Sequence, residues 1–395
     1  MNTFKYHFHR KSITAFPCET CKQCGQSNHV DDLFKQSRSS SFKIIRCGNC
    51  AIGHCKKGAN KCGIHKRYLE GSHFSAHEVE DVISFGEEKR IEKVSVAEID
   101  IRKQRKLTKT MDLISSFGIH FETTSITPKV KIKNQGFRAR FACQTSVAGQ
   151  FRDQIENGIM GMNNSNTTIW KQMKDSGLIQ NDAFSLCFAK SYYYHAGVLN
   201  FGGTDERLHK SKMLFVRKLQ GEETYHTVYV KAIYLQVGES NLSPNFKTKR
   251  LDINYQKFND GEVILDSGST NVQLLSMMKN PFVNAFKELV GSSYFSFEEE
   301  EVADLSKFPS IVLHLEGVGN LSSVVPFIIH PQHYRHHLDM DLDEGEGGIL
   351  GAAALMNKDV LFDDGNSRIG FADSNCDYSS LLGKKKRIPI SKPYL

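Results

Sequence analysis

Val263-Ile264-Leu265-Asp266-Ser267-Gly268-Ser269-Thr270 is the stretch on which the reading of this chain turns. Val263, Ile264 and Leu265 read as the end of a buried strand. A strand that runs into an aspartate is unusual, because burying an unpaired carboxylate is costly. The residues after it supply the remedy. Gly268 lets the backbone turn sharply, so that its N–H can face the carboxylate. Ser267 and Ser269 add hydroxyl donors. Hydrogen bonds of this kind favour the charged form of a carboxylate. A bare Asp-Ser-Gly also reads as an Asx turn closing a strand.

Later stretches choose between these readings. Phe308-Pro309-Ser310-Ile311-Val312-Leu313-His314-Leu315 has a proline followed by a strand-like apolar alternation. Gly348-Ile349-Leu350-Gly351 follows, then Val360-Leu361-Phe362-Asp363 and Arg368-Ile369-Gly370-Phe371-Ala372. In order and spacing these stretches resemble the second half of the pepsin-like aspartic proteases, with Asp266 in the active-site loop. The resemblance implies an all-β, bilobal acid-protease fold with a central cleft. It also implies an Ile-x-Gly element threading under each aspartate loop. Ile159-Met160-Gly161 serves the first lobe and Ile349-Leu350-Gly351 the second, and their recurrence predicts a duplicated plan.

Composition sets the bounds. The chain has 395 residues, enough for two ordinary domains, with 39% hydrophobic and 24% charged residues, as expected of a folded protein. It contains no apolar run long enough for a transmembrane helix. Met1 to Lys11 carries charges and aromatics without the apolar core of a signal peptide. The net charge of +7 comes largely from residues 100–140 and from Lys384-Lys385-Lys386-Arg387. These read as a solvated insert and a tail rather than a nucleic-acid surface.

Seven of the ten cysteines fall between residues 18 and 62. Cys18-x2-Cys21-x2-Cys24 and Cys47-x2-Cys50, with Cys55 and Cys62, have spacings that suit a zinc ribbon as well as disulfides. The cluster resembles the insertion of the nepenthesin-like and plasmepsin V-like proteases, which implies disulfides and a secretory, endolysosomal or extracellular setting. An odd number of cysteines leaves at least one free or paired outside the cluster.

The resemblance covers residues 12–86 and 137–376. It divides the chain into an N-terminal lobe (1–204), a C-terminal lobe (205–376) and a basic tail (377–395). Residues 87–135 fit poorly, and their lysine- and arginine-rich composition predicts a partly disordered insert, with a polar helix over 94–107. Tyr68-Leu69-Glu70-Gly71-Ser72 and Val79 to Ile83 read as a hairpin turning at Gly71. By resemblance this is the flap over substrate, with Tyr68 as its tyrosine.

Aspartic protease chemistry uses two carboxylates that share one proton, an acid and a base on either side of a water. The resemblance puts the first acid just before Ser12-Ile13-Thr14. Counting back, Asp-Thr-Gly-Ser falls on Phe8-His9-Arg10-Lys11, which supply none of it. Asp31 and Asp32 lie in the cysteine-rich insert and Asp81 on the flap's return strand, and none of them is both preceded by a strand and followed by Gly-Ser. Loss of an upstream stretch accounts for the missing acid, strands and leader together, so the N-terminal lobe is expected to be incomplete.

The implied function is an aspartic endopeptidase lacking its first acid. The catalytic residue is Asp266. Tyr68, Gly268, Ser269 and Thr270 line the substrate site, and Ser267, Ile159, Gly161, Ile349 and Gly351 support it. The resemblance implies a peptide or protein substrate, a monomer, and no metal, cofactor or nucleic acid. The alternatives are an inactive peptide-binding or inhibitor protein and an N-terminal zinc module.

Overall fold

The computed structural model describes residues 13–22, 24, 33–68, 71–84, 119–123 (backbone alone), 136–154, 158–189, 197–219, 225–238, 246–291, 305–319, 323–335, 337–343 and 347–377. The predicted helix over 94–107, Asp31, Asp32 and the basic tail beyond 377 lie outside these residues, as does the loop at 8–11. The fold is mainly β. It divides into two compact units: one of 1–184, 192–203 and 387–395, the other of 185–191 and 204–386.

The first unit is built on two long strands, His73–Ile83 and Phe137–Ala148, paired antiparallel along their whole length. Ala15–Pro17 adds in parallel to the outer edge of Phe137–Ala148. Lys61–Arg67 and His54–Lys56 extend the sheet on the other side. Alternation explains the packing: Phe74 and Ala76 point into the core with Ile64, Ile13, Ala15, Ala142 and Val147. Trp170, the single tryptophan, is fully buried; its indole N–H donates to the Asn163 carbonyl at 3.2 Å, and Phe184 packs against its ring.

One strand was not foreseen. Ile119–Thr123, inside the segment expected to be a disordered insert, pairs in parallel with Gly197–Phe201. The run Ile-His-Phe-Glu-Thr at 119–123 alternates weakly and lies inside a segment whose Lys- and Arg-rich stretches at 102–109 and 129–133 dominate the reading. The chain passes between the units more than once before 204. Residues 185–191 belong with the second unit. There Cys187 is bonded to Cys376, and Phe188 bridges to Met356.

All ten cysteines are paired. The bonds are Cys18–Cys143, Cys21–Cys24, Cys47–Cys55, Cys50–Cys62 and Cys187–Cys376. Cys18 is the member of the cluster that pairs outside it. The zinc-ribbon spacing is therefore used for disulfides. Cys50, Cys62 and Glu78 do come together within 4.8 Å, but both sulfurs are committed to one disulfide.

In the second unit, one sheet runs Thr227–Val228, Val263–Asp266, Ile349–Gly351, Val272–Leu275, Leu338–Leu342. A second runs Lys247–Arg250, Val230–Val237, Ser310–Glu316, Val324–Ile329. The helix Lys279–Val290 buries Phe282, Ala285 and Phe286 and stops at Gly291, whose φ is +103°. Ahead of the Ser310–Glu316 strand, the Pro309 carbonyl accepts from the buried Tyr334 hydroxyl at 2.6 Å. Leu214–Arg217, Arg368–Asp373 and Lys358–Asp363 form an antiparallel set.

Candidate active site

Asp266 ends the Val263–Asp266 strand. The chain turns at Ser267-Gly268 and leaves as Val272–Leu275. Both carboxylate oxygens of Asp266 are engaged from within the turn. The Gly268 N–H donates to Oδ1 at 2.9 Å, and the Ser269 hydroxyl donates to Oδ2 at 2.8 Å. Asp266 is half-buried, while Gly268 and Thr270 are exposed. The loop thus holds a carboxylate by local donors and leaves it open to solvent.

Ile349–Gly351 threads between the two strands. It pairs in parallel with Val263–Asp266, with Asp266 opposite Gly351, and antiparallel with Val272–Leu275. The Gly351 N–H donates to the Asn271 carbonyl at 3.1 Å. The next two N–H groups, of Ala352 and Ala353, donate to the carbonyls of Ser269 and Thr270 at 2.7 and 3.1 Å. The loop backbone is therefore pinned from below. Gly351 is required for this: a β-carbon there would lie 2.2 Å from the Asn271 oxygen and 2.6 Å from that of Ser269.

The first unit repeats the plan around Ile159-Met160-Gly161. Ala15 and Ile159 exchange backbone hydrogen bonds, as the pair Gln273 and Ile349 does in register. The Gly161 N–H donates to the Ile13 carbonyl at 3.2 Å, matching Gly351 on Asn271. Ala15 pairs in parallel with Ala142, as Gln273 does with Asp339. Ala15 and Gln273 are thus equivalent, and so are Ile13 and Asn271.

Tyr68 closes the hairpin formed by Lys61–Arg67 and His73–Ile83. Its N–H donates to the Ser72 carbonyl at 2.8 Å, and Gly71, at φ +95°, donates back to the Tyr68 carbonyl. The ring packs edge-on against Phe151 at 5.2 Å and lies near Phe74.

Two acids of the first unit serve other purposes. Asp81 is buried and accepts from the hydroxyls of Ser39 and Ser41 and from the Val82 N–H. This explains the serine run at 39–41. Glu78, fully buried, accepts the N–H groups of Ala51, Ile52 and Gly53, each at 3.0 Å, with the Arg140 guanidinium at 3.5 Å. Sequence reading missed Glu78. Its only signal was a carboxylate at an inward position of an alternating strand.

Comparison with known proteins agrees with this geometry. The family profile described as eukaryotic aspartyl protease matches residues 111–374. That span begins within the segment 87–135 that the sequence alone set aside as an insert. Aspartic proteinase 36 of Arabidopsis thaliana is 24% identical over 261 residues, covering 60% of this chain and 49% of that protein. Aspartic protease 5 of Toxoplasma gondii is 23% identical over an alignment covering 96% of this chain and 35% of that protein. A beta-secretase of Strongylocentrotus purpuratus is 23% identical, covering 46% and 36%. The chain therefore spans less than half the length of each of these relatives. The Asp266 loop seated on Ile349–Gly351, with the matched span around it, makes this chain a member of the eukaryotic, pepsin-like aspartyl protease family.

Proposed function

We propose that the chain is part of an aspartic endopeptidase, with Asp266 as one of two catalytic carboxylates and the other not supplied by the family's usual position. The single observation that carries this reading is the repeated register around the two Ile-x-Gly elements. Asp266 lies seven residues before Gln273. Seven residues before its equivalent, Ala15, comes Phe8. The count from Ile13 and Asn271 gives the same position. The buried hydrogen bonds of Asp81 support leaving it out of the chemistry.

In the reaction, one carboxylate takes a proton from a bound water while its protonated partner polarises the scissile carbonyl. Asp266 is suited to such a pair. Its loop donors, the Gly268 N–H and the Ser269 hydroxyl, fix both oxygens in place. Thr270 is exposed beside it for contact with a peptide backbone, Ser267 braces the turn, and Tyr68 at the hairpin tip covers substrate. The substrate is an extended peptide, the working form is a monomer, and neither metal nor nucleic acid takes part. Ten paired cysteines support an oxidising compartment, the secretory pathway or its endolysosomal or extracellular destinations.

With one acid the chain holds no acid–base pair, so the unmodified protein is expected to be inactive. The test is a fluorogenic peptide assayed across acid and neutral pH. The variant Phe8→Asp, His9→Thr, Arg10→Gly, Lys11→Ser, with Lys5→Val and His7→Leu to restore the strand, is expected to gain acid-optimal, pepstatin-sensitive turnover that Asp266→Ala removes. Turnover by the unmodified chain that is lost in Asp266→Ala would overturn the missing acid. A folded six-fold variant that binds pepstatin-like peptides without turnover would favour the second reading, a peptide-binding protein, which the Phe8 count also suits.

A further inference from the structure

Between Asp32 and Glu70 the chain has nine lysines and arginines, two histidines and no acid. Folding gathers the second half of that run onto one face of a sheet. Along Lys61–Arg67, Cys62 and Ile64 are buried in the core, so Lys61, Gly63, His65 and Arg67 point the other way. His54–Lys56 lies beside this strand on the sheet edge, with Lys56 opposite Lys61 and His54 opposite Gly63. On the other side, His77 stands opposite Gly63 and His73 opposite Arg67.

The cationic side chains converge. Lys56 lies across Gly63, where a β-carbon would come within 2.2 Å of its Cε. The His65 and His73 rings are 5.8 Å apart. His54, Lys56, Lys57, His65 and Arg67 are exposed. Among the described residues, the ion pairs of this unit join Arg138 and Arg140 to Glu78 and Glu80, and Lys171 to Asp182. None of them involves this face. Burial first, then the charges of Lys61 and Lys56, hold the His77 imidazole below its usual range.

Like charges directly opposite each other in a sheet repel, so the pairing of Lys56 with Lys61 costs stability. A lysine on an edge strand guards against pairing with other chains, which accounts for Lys56 but not for Lys61, His65 or His77 on inner strands. Cys47–Cys55 and Cys50–Cys62 tie both strands of the hairpin to the loop before them. The cations are thus held together in advance, and a ligand need not gather them.

We propose that this face is a binding site for a linear sulfated polysaccharide, whose sulfates bridge Lys56, Lys57 and Lys61 and run on toward His65 and Arg67. Residues two apart on a strand are about 7 Å apart and neighbouring strands about 4.8 Å, so the cations form a flat lattice along which an extended polyanion can lie. Among its described residues the face presents no Phe, Tyr or Trp on which a base could stack, which favours a polysaccharide over single-stranded nucleic acid. The paired cysteines favour the same choice, since they mark an oxidising compartment. Histidine gains charge as pH falls from about 8 to about 5, so the four imidazoles of the face strengthen binding in acid. The site involves no residue of the Asp266 loop and its test reads no turnover, so it stands apart from the catalytic reading.

The test is calorimetric titration of the full chain with a heparin dodecasaccharide at about pH 7.5 and about pH 5.5. Saturable binding is expected, about tenfold tighter at the lower pH and absent for the fully desulfated sugar. Bound heparin is expected to protect Lys56, Lys57 and Lys61 of the wild-type chain from acetylation, read by mass spectrometry, a measurement that needs no variant. Lys56→Gln, Lys57→Gln, Lys61→Gln together, checked for a retained melting transition and no exposed thiol, should weaken binding about tenfold or more. Lys384→Gln, Lys385→Gln, Lys386→Gln together should leave it unchanged. The proposal is overturned by no saturable binding, by protection confined to lysines elsewhere, by equal affinity of the folded first variant, or by affinity that does not rise in acid. An oligothymidylate of equal charge that binds more tightly and protects the same three lysines would overturn it in favour of nucleic acid.

Discussion

Gly351 sits directly opposite Asp266 in a parallel pair, and it is the residue whose lack of a side chain lets the aspartate loop close over it. A β-carbon at 351 would meet backbone oxygens at 2.2 and 2.6 Å, and backbone cannot move aside as a flexible side chain can. At Gly268 the nearest atom to such a carbon is Asp266 Oδ1, at 3.2 Å. Gly351→Ala is therefore expected to destabilise the protein by about 3 kcal/mol or more. Gly268→Ala should stay within about 1 kcal/mol. Urea unfolding of both variants checks this, and equal losses would contradict it.

Glu78 clamps the loop that carries Cys50. Its carboxylate is the acceptor for three successive N–H groups, so Glu78→Ala leaves buried donors without it, at about 1–3 kcal/mol each. A loss of at least about 3 kcal/mol is expected, and Glu78→Gln, which keeps one acceptor oxygen, should lose less. Hydrogen exchange at residues 51–53 reports directly. It should accelerate far more in Glu78→Ala than in wild type.

The disulfides differ in how much chain they close. Cys187–Cys376 spans 189 residues and Cys18–Cys143 spans 125, against 3 for Cys21–Cys24. The chain-entropy estimate gives about 5 kcal/mol for each of the long loops and about 1.6 kcal/mol for the short one. Replacing each pair by serine should follow that order in melting temperature. A Cys21/Cys24 double variant as damaging as Cys187/Cys376 would show that native packing, not loop closure, dominates.

Asp205 predicts a pH dependence. Burial pushes its carboxyl up, but hydrogen bonds from the Arg207 side chain and backbone, with their charge, outweigh this and hold it below the usual range. The folded value thus lies below the unfolded one, about 3.9. Its stabilisation is present above about pH 4 and is lost as pH falls through the folded value. Melts of wild type and Asp205→Asn should differ near neutrality, and the gap should close in strong acid. A gap that widens on acidification would reverse the assignment.

The sequence by itself determined the elements whose logic is local. Asp266, Gly268 and Ser269 are within three residues of one another, so the geometry of one turn dictates their hydrogen bonds. The Ile-x-Gly elements at 159–161 and 349–351 and the strand after Pro309 were legible for the same reason, as runs of alternating or glycine-marked residues. The hairpin at Tyr68 followed from Gly71. What only the tertiary structure decided joins residues far apart in the chain. Cys18 pairs with Cys143 because a parallel strand pair brings their Cα atoms to 5.5 Å, which no spacing within the cysteine cluster encodes. Nothing in the sequence around Glu78 and Asp81 names what their carboxylates bond. Their partners come from loops 25 to 42 residues away, and only folding brings those donors to carboxylates that burial obliges to be paired. The strand at 119–123 was hidden likewise, since its pairing with 197–201 is non-local.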